Sequence, residues 1–354
     1  MKLCKKWEKT SVSQMKIFAL TISADKLIFV SMFMRKISLF FFLLFINSCS
    51  DLRKTGLTGL IYGTTYNIQF YSSSFDDYST EIDSIFNEID NSMSTYKTNS
   101  LISKINRNES SFIDNHFINV FKVSKEIYKS TNGRFDPSIG LIVNYWGFGP
   151  EKIDSQDEQL NNLLSKVGLD KFEIIGDKLI RPKDSYIDFN AIAKGYAVDK
   201  ISEFLKSKSI DNFIIEIGGE INASGINFDK NNPWIVAIDM PRFDGDRSIH
   251  STLELNNISI ASSGTYRKFK IDSFGNRYAH IINPETGYPT RTNILSVTVK
   301  GSSCIEADAY ATAIHTMNII EIKEFFAKNN KISSLIIFEN ENNELEELIL
   351  NNFY

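Results

Sequence analysis

Apolar residues at helical spacing mark several amphipathic segments. Ile82, Ile85, Phe86, Ile89 and Met93 fall on one face of a helix predicted over Thr80–Met93. A second helix is predicted over Phe117–Ser130, stopped by Asn132-Gly133, and a third over Leu160–Val167, stopped by Gly168. Short apolar or alternating runs predict strands at Leu60–Tyr71, broken by Gly63-Thr64-Thr65, and at Phe213–Ile217, Trp234–Asp239, Ile258–Ala261 and Ile294–Val299. Ser333–Phe338 reads as the last core strand, after helices over Ile305–Met317 and Ile319–Lys328. Strands and helices mix without a βαβ rhythm, which predicts an α+β domain and not a doubly wound sheet. No internal repeat or long linker divides the chain.

One stretch organises the rest. Tyr186 to Phe189 reads as a strand, Asn190 as a helix N-cap, and the helix that follows carries Ala193, Ala197, Ile201 and Phe204 along one stripe. Its first turn is small apart from Ile192 and Lys194, which suits the approach of phosphate oxygens. Gly195 inside this helix costs about 1 kcal/mol relative to Ala, so a close neighbour is expected there. An ordinary strand-to-helix turn with a solvated lysine is an equal reading of the same residues.

On the Ile305–Met317 helix, Asp308 and Thr312 project from one face a turn apart, and His315 continues that face. A carboxylate beside a hydroxyl suits a hard cation such as Mg²⁺. The alternative is a polar pair on an exposed face, although Ala307, Ala309, Ala311 and Ala313 are what a closely packed helix would carry. Gly218-Gly219-Glu220 and Ser262-Ser263-Gly264, each ending a strand, read alone as turns. His280, ahead of Ile281-Ile282 and a turn-forming Asn283-Pro284-Glu285-Thr286-Gly287, reads alone as structural.

Composition changes the picture mainly at the N-terminus. A chain of 354 residues, 42% hydrophobic, with net charge -4, can build one large domain and does not suit a general nucleic-acid binder. Met34-Arg35-Lys36, an apolar run Ile37–Ile46 and Asn47-Ser48-Cys49 have the layout of a bacterial secretion signal ending in a lipidated cysteine. The apolar core is shorter than the ~20 residues that span a bilayer. Residues 1–48 are therefore expected to be leader and signal, 49–57 a tether, and 58–350 the folded domain. A plain signal peptide or a membrane anchor is the alternative. With Cys4 removed and Cys49 lipidated, Cys304 stands alone, and neither a disulfide framework nor zinc spacing is available.

Taken together, the motifs carry a resemblance. In order they are Gly63-Thr64-Thr65-Tyr66; Met93-Ser94-Thr95-Tyr96 with Asn99-Ser100; and Gly133-Arg134-Phe135-Asp136-Pro137 with Trp146-Gly147-Phe148-Gly149. Asp188 through Lys194-Gly195, Glu216-Ile217-Gly218-Gly219-Glu220, Ala261-Ser262-Ser263-Gly264, His280-Ile281-Ile282-Asn283-Pro284 and Ala307-Asp308-Ala309 through Thr312 complete the series. Each is weak alone. In this order, over more than two hundred residues, they resemble the ApbE-type flavin transferases, or FAD:protein FMN transferases.

That resemblance implies a single T-fold-related α+β domain with mixed or antiparallel sheets and packed helices. It implies an enzyme that uses Mg²⁺ to move the FMN part of FAD onto a Ser or Thr hydroxyl of a client protein, leaving a phosphoester and releasing AMP. Asp308 and Thr312 are the implied metal ligands, with the Ala191 carbonyl. Tyr96, Arg134, Phe135, Asp136, Asp188, Lys194 and Ile281 are the implied FAD contacts, and His280 the base or positioner for the hydroxyl. Tyr62 stands where the family often has Met, altering a flavin-ring contact. Asn283 stands where it has Asp, removing a charge. The implied client is a subunit of a membrane redox complex, and the implied place is the periplasmic face of a membrane, most naturally the inner one. Rival expectations are an FAD pyrophosphatase, in which water replaces the client, and a non-enzymatic lipid-anchored flavin-binding protein.

Overall fold

The computed structural model describes residues 52–354 apart from 75–76, 154–156, 245, 266–268, 272–276 and 291; the expected signal and Cys49 lie outside the described residues. The core element is an eight-stranded sheet whose spatial order is also its chain order. It runs Arg53–Ile61, Thr64–Ser72, Phe213–Ile217, Glu220–Ser224, Ile258–Gly264, Ile294–Gly301, Ser333–Glu339 and Leu345–Leu350. Every neighbouring pair is antiparallel, so the sheet is a meander into which other elements are inserted.

The first hairpin turns on Tyr62 and Gly63, both with positive φ (50° and 74°), as a two-residue turn between twisted strands requires. That turn is what breaks the predicted Leu60–Tyr71 run. It also brings Arg53–Leu57, expected as part of a tether, into the sheet.

Period-two alternation sends side chains to two cores. Ile68, Phe70, Phe213, Ile215, Val297, Val299 and Ile336 face a layer of helices. Tyr71, Ile260, Leu335 and Ile337 face the other way, against Trp234, Val236 and Leu253 of a small sheet formed by Ile226–Asn227, Asn232–Asp239 and Ile249–Leu255. A sheet covered on both faces explains why Leu335-Ile336-Ile337 is continuously apolar. The strand Leu345–Leu350 was not predicted, because its acidic residues on an exposed edge mask the alternation.

The helical layer is inserted between the second and third sheet strands. It contains Ser79–Met93, Leu101–Asn106, Asn115–Ser130, Gly140–Tyr145, Asp157–Leu164 and Ala193–Ser207. Cys304–His315 and Ile319–Lys328 join it from between the sixth and seventh strands. The organising stretch differs from its prediction in two ways. Tyr186 makes only an isolated parallel bridge to Ile139, and Asn190 is not the N-cap: the helix begins at Ala193 after a turn in which the Ile192 and Ala193 N–H groups donate to the Phe189 carbonyl. Asn190 is instead held from both sides. Its N–H donates to Asp188 and its side-chain amide to Thr95.

Gly195 has the close neighbour its position demanded. A Cβ there would lie 2.4 Å from the Cys304 carbonyl oxygen and 2.8 Å from the Asp308 Cβ, because the Ala-rich Cys304–His315 helix crosses at that point. Gly195→Ala is expected to destabilise the fold by about 1–3 kcal/mol despite Ala's better helix propensity, since a backbone carbonyl has little room to move. An unchanged melting temperature would show that the two helices are not pinned there.

Candidate functional site

The fold gathers Tyr62, Tyr96, Arg134, Phe135, Asp136, Asp188, Ala191, Lys194, His280, Ile281, Asp308 and Thr312 around one cleft of about 860 Å³. That volume is within the range of cofactor-sized sites, roughly 300–1,000 Å³. The meander explains the convergence. The first hairpin turn, the Glu220 and Ser262-Ser263 ends of central strands, and the Cys304–His315 helix meet the helical insertion there.

Two helices fix the floor. The Gly195 N–H donates to Asp308 Oδ2 at 3.0 Å. In return, the Asp199 carboxylate accepts from the Cys304 and Ile305 N–H groups at 2.9 Å each and from the Ser303 hydroxyl at 3.0 Å. The Cys304–His315 helix thus borrows its N-terminal cap from its neighbour, its own Ser303 making no side-chain cap. Asp308 is 5% exposed, and Thr312 lies one turn on, half-buried at the cleft. His315 does not continue that face. It is fully buried with Nε2 3.2 Å from the Ile294 carbonyl, and burial pushes its pKa down to about 4, which keeps it neutral.

Lys194 sits between two carboxylates: its Nζ is 3.1 Å from Glu220 Oε1 and 3.7 Å from Asp308 Oδ2. Burial works against the ammonium, but the Asp308 and Glu220 charges more than offset it and hold the pKa above the ordinary lysine value. Glu220 is 2% exposed, its Oε2 has no hydrogen-bond partner, and burial drives its pKa upward despite Lys194. Glu220 was not among the predicted site residues. The sequence signal was Gly218-Gly219-Glu220, which looks like any tight turn until the sheet aims its last residue at the cleft.

On the walls, Asp136 is buried and accepts from the Ser138 N–H (2.8 Å) and hydroxyl (2.6 Å), yet burial still raises its pKa to about 6. Because the folded value exceeds the unfolded one of 3.8, this group favours folding while protonated, and that contribution disappears as pH rises through about 6. Asp136→Asn should therefore gain stability relative to the parent between pH 4 and 7, by up to about 3 kcal/mol, in urea titrations at each pH. A pH-independent difference would contradict the buried carboxyl. Asp188 is likewise raised by burial, opposed by the Asn190 N–H.

Tyr96 is 63% exposed and its hydroxyl reaches the Phe148 carbonyl at 3.4 Å. The Tyr62 hydroxyl donates to the Phe86 carbonyl at 3.0 Å, holding its half-buried ring at the rim. Arg134 is engaged by Glu285 at 3.2 Å and by Glu321, so it braces the 283–287 turn against the Ile319–Lys328 helix. His280 precedes that turn, its ring 6.5 Å from that of Phe148. The turn is tied by Thr290 N–H to the Ile281 carbonyl and Gly287 N–H to the Asn283 carbonyl. Ile282 anchors it in a separate apolar cluster with Ile142, Tyr145 and Leu160. Asn283 Oδ1 accepts from the Glu285 N–H, a turn-forming role that needs no carboxylate.

Comparison with known proteins gives consistent results. A profile of the ApbE family matches residues 62–336. An FAD:protein FMN transferase of Vibrio cholerae is 37% identical over 272 residues, covering 74% of this chain and 80% of the relative. One of Haemophilus influenzae is 34% identical over 298 residues, covering 79% and 86%. The solved flavin transferase ApbE of Vibrio cholerae superposes with a TM-score of 0.77 at 34% identity over 85% of this chain and 98% of that one. The apo flavinyl transferase ApbE of Pseudomonas stutzeri superposes with a TM-score of 0.76 at 25% identity, over 85% and 96%.

Proposed function

The chain belongs to the ApbE family, and from that premise we propose that it transfers the FMN moiety of FAD to a Ser or Thr hydroxyl of a client protein. The observation that carries this reading is that Asp308, Thr312, Lys194 and His280 all line the same cleft. Phosphoryl transfer asks a protein for positioning and charge neutralisation more than for covalent chemistry. The client oxygen attacks the FMN-side phosphorus, its proton passes to the His280 imidazole, and the bond to AMP breaks. The product is a phosphoester-linked flavin. Lys194 and the start of the Ala193–Ser207 helix supply positive potential for the diphosphate. The aromatic rim, Tyr62, Tyr96 and Phe148, suits planar rings.

The donor set fits a hard cation. Asp308, Thr312 and the Ala191 carbonyl offer only oxygen, and the buried Glu220 Oε2 lacks a partner. Among the described residues no group of three or more His, Cys, Asp and Glu side chains could hold a metal. Mg²⁺ suits such a sparse set because it commonly takes substrate phosphates and water as remaining ligands. Bound there, it would neutralise phosphate charge and ease departure of AMP.

The lipid anchor at Cys49 and the periplasmic membrane face follow from the signal-like N-terminus. Among the described residues no helix is long and apolar enough to cross a membrane. The client is then a membrane redox subunit exposed on that side. Incubating the protein with FAD, MgCl₂ and such a subunit should leave UV-fluorescent flavin on the denatured client in a gel. Release of free FMN and AMP without labelled client would support the pyrophosphatase in its place.

A further inference from the structure

The arrangement around Lys194 bears on when the cation can enter. Lys194 Nζ contacts Glu220 Oε1 at 3.1 Å and lies 3.7 Å from Asp308 Oδ2, the same Asp308 that the cation needs. The three groups line the cleft, with Asp308 and Glu220 almost wholly buried. Two buried carboxylates side by side repel one another, and a cation between them is the direct remedy. Here the protein carries that cation itself.

We propose that Lys194 is a built-in counter-ion that keeps the empty cleft from holding a divalent cation, so that the metal is taken up together with the dinucleotide diphosphate. With Lys194 in place, an incoming divalent ion meets an ammonium within a few ångströms of its own carboxylate ligand, a repulsion that costs it affinity. An arriving diphosphate carries negative charge that competes for the ammonium. Lys194 turns toward the phosphate oxygens, Asp308 is released to the metal, and Glu220 stays behind as the carboxylate that balances the shifted charge. The Oε2 of Glu220 already lies buried in the cleft without a partner, which suits an acid whose hydrogen bonds are completed only in the loaded state. Coupling of this kind is reciprocal: FAD must tighten the metal by the same factor as the metal tightens FAD. A cleft that rejects the bare cation is also spared from binding it unproductively.

This inference rests on the flavin-transfer reading only for the identity of the dinucleotide. It is tested without turnover by titrating Mn²⁺ into FAD-free protein and following loss of the free-ion EPR signal. Lys194→Met should bind Mn²⁺ at least about tenfold more tightly than the parent in the absence of FAD. Lys194→Arg, which keeps the charge, should stay within about threefold of the parent. Adding Glu220→Gln to Lys194→Met should undo most of the gain. If Lys194 only contacts phosphate, its removal leaves FAD-free Mn²⁺ affinity unchanged, and that result overturns the proposal. Thermal melts accompany each variant; should Lys194→Met fail to fold, Lys194→Gln takes its place in the same comparison. Client labelling by the parent protein is scored separately. Labelling with no effect of Lys194 on Mn²⁺ sinks this inference alone, whereas absence of FAD binding sinks the functional reading.

Discussion

Asp308→Ala is expected to lower flavin transfer by about 10²–10³-fold, the usual loss when a charge-stabilising group is removed from a water-excluded site. The effect is large because Asp308 does two things. Its carboxylate is the one acidic ligand in the proposed metal set, and its Oδ2 receives the Gly195 N–H that locks the two site helices together. Asp308→Asn separates these functions. Its amide oxygen can still accept from Gly195, so the melting temperature should stay near that of the parent, while the lost charge should leave transfer nearly as low as in Asp308→Ala. Raising MgCl₂ should restore part of the asparagine variant's activity, as expected of weakened metal binding. Near-parental labelling by either variant would remove Asp308 from the metal site.

His280→Ala is expected to slow transfer by about 10²-fold or more, the range typical of a lost general base, with FAD affinity within a few-fold of the parent. The geometry supports such a split. His280 precedes a turn whose backbone bonds and Ile282 anchor do not involve the imidazole, so deleting the ring leaves that part of the cleft wall standing. Loss of FAD binding would make His280 a binding residue instead.

Most of the fold could be read from the chain because its elements are amphipathic. Ile319–Lys328 falls where its periodicity puts it, and the structure closes its start with an Asn318–Glu321 capping box. The misses have local causes. Asn190 looked like a cap, but Asp188 takes its N–H and the chain makes one more turn before the helix starts. His315 looked like a third member of the Asp308 face, yet three residues beyond Thr312 it has rotated into the core under the Ile294 carbonyl. Asp199 caps a helix about a hundred positions away, a relation that sequence spacing does not encode.

The site divides in the same way. Motifs marked Asp308, Thr312, Lys194 and His280, and the fold lines them all along one cleft. Glu220 escaped because a glutamate after two glycines looks solvated; only the antiparallel pairing of Phe213–Ile217 with Glu220–Ser224 aims it inward. Arg134, expected on FAD, lines the cleft and is engaged there by Glu285 and Glu321. Its guanidinium positions the turn after His280 as directly as it could position a ligand.

The most direct measurement is a crystal structure of the protein with FAD and Mg²⁺. It should show the diphosphate at Lys194, with the metal bridging it to Asp308 and Thr312, and the FMN-side phosphorus facing His280. A dinucleotide lying on another surface, or a cation bound away from the Cys304–His315 helix, would contradict the account.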